Sequence, residues 1–401
     1  MPTFPEQLRT RRLKAGLSLA DLAERTHYNR SYLHHVESGR RPANEHVAAK
    51  TDVALNADGA LYTAWERDDA VRRRDAALRR TRAAALAISR DLCSLADLDI
   101  GELHAGVEET AVDYLSTAPA PMMDRAHTLQ AEAYERIRSG HHRPQDRSDL
   151  YVTTGRLSGV LAYALLDIGE PGEALNHAAA AARCAECAGD AELAAWVAGT
   201  RSLIARFMGD YGLALEFARD GYQWVGGGNG TAEARLRCGE AQCLANLGNS
   251  VAANAALDSA EEARGRIRRP DELGGLFGFS VAKQRYYAGS SLIWLDGGHD
   301  AERAEREATA AIELWQASAP EERSLDDERL AHVYLATARV QLGDVEGAAA
   351  AVRPVLSLPV EDQISWIVKR MDRLSSMLSA PRFQGNRTAA ETVEAIKQLA
   401  A

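Results

Sequence analysis

At four places between residues 169 and 348 a Gly ends one helical run, a small polar turn follows, and an Ala stands five residues after the Gly: Gly169/Ala174, Gly209/Ala214, Gly248/Ala253 and Gly343/Ala348. The glycines are 40, 39 and 95 residues apart, and the last interval leaves room for one more unit, which Gly298 and Ala304 supply with one residue inserted. Gly takes the left-handed geometry that ends a helix, and a small Ala lets the next helix press closely against the first, so each pair predicts a helix hairpin. Hairpins of this kind bury their apolar faces only by stacking, and five of them are expected to form a solenoid. Elsewhere apolar residues recur at three and four between short clusters of Gly, Pro and Asn, while period-two alternation is scarce. The expected fold class is all-α.

Four segments are expected: a compact head (1–66), a helical connector (67–147), a repeat section (148–358) and C-terminal capping helices (359–401). The connector opens with Arg72-Arg73-Arg74 and Arg79-Arg80, read as a solvated helix face. Its far boundary falls at Ser139-Gly140-His141-His142-Arg143-Pro144, which breaks helical periodicity. Ile364, Ile367, Met371, Leu374 and Leu378 share one face of a helix expected to cover the last repeat, and 388–400 reads as a loosely held tail. Charge is divided unevenly along the chain. Residues 1–90 carry 17 Lys and Arg against 11 Asp and Glu, a net +6, so the rest of the chain, net −10 overall, carries −16. A basic head on an acidic body confines attraction for phosphate to the head.

The head is the most specific segment. In Gly16-Leu17-Ser18-Leu19-Ala20-Asp21-Leu22-Ala23, a helix ends at Gly16, Ser18 caps the next, and Leu22 and Ala23 pack inward. Asn29 caps a third helix, Arg30 to Glu37, after a short turn, and Gly39 closes it. Leu33 and Val36 then face the core, which turns Arg30, Ser31, His34 and His35 outward at the N-terminal end, where a recognition helix enters the major groove. Residues 6–60 resemble the Xre-type, phage-repressor-like helix-turn-helix family. That resemblance implies an Arg12–Glu37 pair bracing the first helix against the third. It implies DNA contacts from Ser18, Asn29, Arg30, Ser31, Tyr32, His34, His35, Arg40 and Arg41, with Arg30 suited to guanine and Arg40 and Arg41 to phosphate. Leu19 departs from the pattern, because the family often places a phosphate-anchoring Gln there.

The turns Met208-Gly209-Asp210-Tyr211-Gly212-Leu213-Ala214 and Leu342-Gly343-Asp344-Val345-Glu346-Gly347-Ala348 resemble those of tetratricopeptide repeats over roughly 150–358, though the period is longer than usual. Such arrays line their inner wall with the first helix of each hairpin. Arg156, Tyr163, Trp196, Arg206, Arg235 and Gln242 are expected there, joined by a stripe of Lys283, Tyr286 or Tyr287, Ser290 and Trp294. Singly these side chains also suit repeat packing; as a group they suit a groove for a peptide, an anionic small ligand or a protein partner.

Other constellations lead nowhere. Cys184, Cys187, Cys238 and Cys243 read as compact apolar fillers rather than a metal site, and five Cys in the chain are too few for a disulfide framework. The Gly226–Gly230 run has no strand ahead of it and reads as a connector rather than a phosphate loop. No catalytic motif, cofactor site, signal peptide or membrane span is expected, and a cytoplasmic, nucleoid-associated location fits. A basic helix-turn-helix on a repeat body resembles one-component transcription regulators of Gram-positive, notably actinobacterial, genomes. The implied partners are double-stranded DNA, a second copy of the chain, and an effector. The rival expectation is an interaction scaffold with a vestigial head.

Overall fold

The computed structural model describes residues 2–91, 100–139, 144–226, 228–295, 297–359 and 362–399. His141, His142 and Gly227 lie outside the described residues. Among these residues nineteen α-helices and no strand occur, and they form two compact units, Met1–Ala76 and Ala77–Ala400. The expected connector is thereby divided: its first ten residues belong to the first unit and the remainder to the second.

The first unit contains α1 (Phe4–Lys14), α2 (Leu19–Thr26), α3 (Arg30–Glu37), α4 (Glu45–Ala54) and the start of α5 (Ala60–Asp91). Its core is Phe4, Leu8, Leu22, Leu33, Val36, Val47, Leu61 and Trp65. Each short helix begins on a side-chain cap, because the first amides of a helix have no internal acceptor. Ser18 Oγ accepts from the Ala20 and Asp21 amides, Asn29 Oδ1 from Ser31, and Asn44 Oδ1 from Val47. The buried Asp52 carboxylate accepts from the Gly59 and Leu61 amides at 2.8 Å and so starts α5. Arg12 grips Glu37 with two bonds, Nε–Oε2 2.8 Å and Nη2–Oε1 2.6 Å, and donates a third to Leu17 O at 2.7 Å. The brace implied by the family resemblance is therefore present.

In the second unit α6 (Gly101–Asp113) and α7 (Pro119–Ser139) precede five helix hairpins: α8 (Pro144–Asp167) with α9 (Pro171–Ala188), α10 (Ala191–Met208) with α11 (Tyr211–Asp220), α12 (Ala232–Asn246) with α13 (Ser250–Gly265), α14 (Val281–Leu292) with α15 (Gly298–Ala317), and α16 (Leu325–Leu342) with α17 (Val345–Leu356). The first helices of successive hairpins pack on one another, which makes the array a solenoid. Gly169, Gly209, Gly248 and Gly343 all have φ between 77° and 86° at the hairpin turns. Asp210, Asn249 and Asp344 cap the helices that follow three of them. Ala174, Ala214, Ala253, Ala304 and Ala348 are fully buried. Gly298 departs from the expectation: it is the first residue of α15, and an extended Gly297 stands before it, so this hairpin turns without a left-handed helix terminator there.

The Gly226–Gly230 stretch is more than a connector. Gly228 O accepts from the Arg268 amide at 2.8 Å, and Gly230 N donates to Arg269 O at 3.0 Å. Asp271 then takes both the amide and hydroxyl of Thr231, which pins the irregular segment between α13 and α14 across the stack. That segment reaches α6 at Gly275. With φ +61°, a Cβ there would lie 2.3 Å from Ala111 O, so only Gly allows the approach.

The end of the chain also departs from expectation. Helix α18 (Ser365–Leu378) buries the predicted face, Ile367, Met371, Leu374 and Leu378, but it does more than cover the last hairpin. Its Ser365 hydroxyl donates to Leu166 O in α8 at 2.8 Å, and Lys369 Nζ donates to Phe207 O in α10 at 3.1 Å. The final helix α19 (Arg387–Leu399) packs on α17 and α18 with Ala389 and Ile396 buried, so the tail is docked rather than loose. No helix among the described residues is long and apolar enough to cross a membrane.

Candidate nucleic-acid interface and enclosed cavity

Two regions carry chemistry. In the first unit, Leu33 and Val36 are wholly buried, which fixes the rotation of α3 and leaves Arg30, Ser31 and His34 exposed along its N-terminal half. Arg40 and Arg41 follow the helix, also exposed, and none of the three arginines has an ion-pair partner among the described residues. Tyr32 and His35 are half-buried. Tyr32 packs against Tyr28 at 5.6 Å and carries the Arg41 guanidinium over its ring at 4.9 Å, so it orients a cation rather than standing free. The side-chain oxygens of Ser18 and Asn29 are engaged as helix caps, which makes both residues positioning elements for the amides they hold. His27 at the end of α2 takes φ 57°, giving the tight turn that sets α3 against α2. Leu19 is half-buried against the head core.

The arrangement is helix, tight turn and an exposed basic helix start. Residues 4–65 match the family described as Helix-turn-helix domain. This first unit is a helix-turn-helix domain. No curated protein matches the chain.

In the second unit the first helices of all five hairpins converge on one cavity of about 80 Å3. From α8 come Tyr163 and Asp167, from α10 Leu203 and Arg206, and from α12 Arg235 and Gln242. Lys283, Tyr286 and Tyr287 come from α14, and Asp326, Asp327 and Tyr334 from α16. Tyr114 beyond α6, Phe279 of the pinned segment, and Ile364 and Trp366 at the start of α18 close it. The expected groove takes the form of a small, partly enclosed cavity, because α18 and the 276–279 segment line the same wall.

Seven of the eleven residues expected on that wall line the cavity: Tyr163, Arg206, Arg235, Gln242, Lys283, Tyr286 and Tyr287. Four do not. Arg156 pairs with Glu272 at 2.6 Å outside it. Trp196 is buried between Tyr163 and Phe277, with ring centroids 5.5 and 4.6 Å away. Trp294 lies beyond the end of α14, so helical spacing does not carry it to the wall; its ring is covered by the Arg373 guanidinium at 3.4 Å. Ser290 is buried and accepts from Gln242 Nε2 at 2.8 Å.

Sequence spacing missed the acidic side. Asp326 and Asp327 stand in the first turn of α16, where carboxylates are common for helix reasons alone. Burial raises Asp326 to about 6, against the pull of Arg329, which holds it at 2.8 Å. Burial and the Asp326 charge push the Asp167 carboxyl well above the usual range, and Tyr114 Oη donates to it at 2.5 Å. Burial lowers Lys283, with Asp327 at 3.8 Å opposing the shift.

Burial pushes the Cys184 and Cys238 thiols up to about 12, which suits compact fillers, and Cys243 is buried too. Cys187 departs from the expectation: it is exposed and fills no core. Among the described residues no group of three or more His, Cys, Asp or Glu converges as metal ligands would. The Arg72–Arg82 face is ion-paired: Arg72 and Arg73 to Asp69 in the first unit, Arg80 to Asp124 and Arg82 to Glu173 in the second.

Proposed function

We propose that this protein is a sequence-specific, DNA-binding transcription regulator of the Xre type. Its tetratricopeptide-like body dimerises and senses an effector, and it acts in the cytoplasm, at the nucleoid, without catalysing a reaction. The observation that carries the reading is the exposed, unpaired start of α3. Arg30, Ser31 and His34 project from a helix whose rotation Leu33 and Val36 hold, inside a helix-turn-helix domain. Arg30 is assigned to base reading and Arg40 and Arg41 to phosphate. A single head offers few base contacts, so two copies on half-sites about one helical turn apart supply the specificity. The body contributes a small cavity lined by aromatic and charged side chains, fit for a small effector.

Genome-wide mapping of bound DNA, followed by anisotropy on the enriched site and on random DNA, tests this. The expected result is a near-palindromic site bound by two chains, with affinity falling steeply as salt rises. Absence of enriched DNA sinks the regulator reading. It leaves the interaction scaffold, which one observation favours: Leu19 packs into the head core at the position where the family it resembles often carries a phosphate-anchoring Gln.

A further inference from the structure

We propose that the cavity of the second unit binds a small organic dianion, whose carboxylate or phosphate oxygens are received by Arg206 and Arg235. The inference deepens the sensing role above and rests on it only for the link to DNA.

Charge pairing in the cavity is incomplete on one side. Lys283 has Asp327 at 3.8 Å, and Asp326 has Arg329 at 2.8 Å. Asp167, whose carboxyl burial pushes up, accepts the Tyr114 hydroxyl at 2.5 Å. Arg206 and Arg235 remain, 5% and 6% exposed, and no carboxylate forms an ion pair with either among the described residues. The Arg235 guanidinium is held by neutral acceptors only, Trp196 O at 2.6 Å, Tyr163 Oη at 2.8 Å and Thr200 Oγ1 at 3.0 Å. Arg206 lies over the Tyr287 ring at 5.4 Å, and its Nε is buried without a hydrogen-bond partner among the described residues. A guanidinium does not surrender its proton in a protein, so two buried positive charges stand uncompensated. Two anionic charges from a ligand balance them, and charge-assisted bonds to guanidinium are the strong kind.

Size narrows the class. A water-sized group needs about 10–15 Å3 of such space, so a cavity of about 80 Å3 takes about five to eight non-hydrogen atoms. That suits a short dicarboxylate or a phosphate. Tyr286, Phe279 and Trp366 supply apolar sides for a carbon skeleton.

The test titrates the full-length protein with succinate, malonate and inorganic phosphate at fixed ionic strength, by thermal shift and calorimetry. Succinamide, the uncharged isostere of succinate, is the control. At least one anion is expected to raise Tm and bind once per chain, and succinamide to do neither; which anion responds separates carboxylate from phosphate. Arg206→Met should weaken the bound anion about tenfold to a hundredfold. Leu203→Phe fills the cavity without changing charge and should block binding as well, which covers the case in which Arg206→Met fails to fold by circular dichroism. No response to any of the three anions beyond a sodium chloride control overturns the proposal, and so does undiminished binding by folded Arg206→Met. An anion that binds without changing operator affinity leaves the site standing and removes the sensing role. Operator binding with no anion response removes the site and leaves the regulator.

Discussion

In the helix-turn-helix domain Arg30, Arg40 and Arg41 are exposed and without carboxylate partners among the described residues, whereas in the repeat unit Arg206 and Arg235 are buried and Arg285 and Arg339 are tied to glutamates on neighbouring helices. The same residue type does two jobs. At the surface its charge projects outward and attracts phosphate. Inside, its planar fork bonds backbone and hydroxyl oxygens from several helices at once and fixes how they stack. Arg12 of the head behaves like those of the body: its side chain is 10% exposed and braces α1 against α3.

Arg12 is therefore where the contrast breaks most visibly. Arg12→Ala leaves Glu37 with only a 3.9 Å contact to Arg9 and should destabilise the head by about 3 kcal/mol, seen as loss of hydrogen-exchange protection in residues 4–65 of the full chain. Unchanged protection would mean that the core alone holds the head. Arg30→Ala, at the exposed extreme, should weaken the cognate site about tenfold to a hundredfold and spare random DNA; equal losses on both would move Arg30 to phosphate contact. In the body, a Cβ on Gly159 would sit 2.5 Å from the Trp196 ring, so Gly159→Ala should cost about 2 kcal/mol in urea unfolding. Asn29→Ala removes the α3 cap and should cost the head about 1 kcal/mol, with a matching fall in operator affinity because α3 starts less well ordered.

The smallest net effect expected is that of pH on the body. His177, whose Nε2 meets Thr81 O at 2.9 Å, is lowered by burial to about 4, below the ordinary value of 6.5. Its unfolded form gains a proton first, so its contribution is complete above 6.5 and is lost as pH falls toward 4. Asp326, raised by burial from 3.8 to about 6, works in the opposite sense, because the folded form binds the proton first as pH falls through 6. The two offset over nearly the same window. His177→Gln should make the body more stable at pH 5 than at pH 7, and Asp326→Asn should make it less so. Denaturation midpoints of both variants at the two pH values check this, and identical profiles would show that neither group titrates as described.

What could be read in the sequence was what is decided locally. Ser18 and Asn29 cap helices a few residues away, and Gly169, Gly209, Gly248 and Gly343 end them, so helix boundaries and hairpins could be read along the chain. Leu33 and Val36 set the exposed face of α3 by spacing alone. The inner wall could be read only in part. Tyr163, Arg206 and Arg235 reach the cavity by helical periodicity. Trp196 turns instead onto Phe277, a residue of the pinned segment 81 positions later whose course no local pattern reveals. Trp294 failed because α14 stops at Leu292. The closure by α18 was hidden for the same reason, since an amphipathic helix after the last repeat looks alike whether it covers the outside or enters the wall.

That closure bears on how the body folds. A stack in which each hairpin touches only its neighbours gains stability unit by unit, frays from its ends and melts gradually. The bond from Ser365 to Leu166 spans 199 residues and the one from Lys369 to Phe207 spans 162, so α18 is fastened to the first two hairpins. Contacts of such separation are expensive to form early, which slows folding, yet once made they remove a free end at which unravelling could start. The body should then melt in a single cooperative step, and deleting α18 and α19 should broaden that step toward the graded transition of an open array.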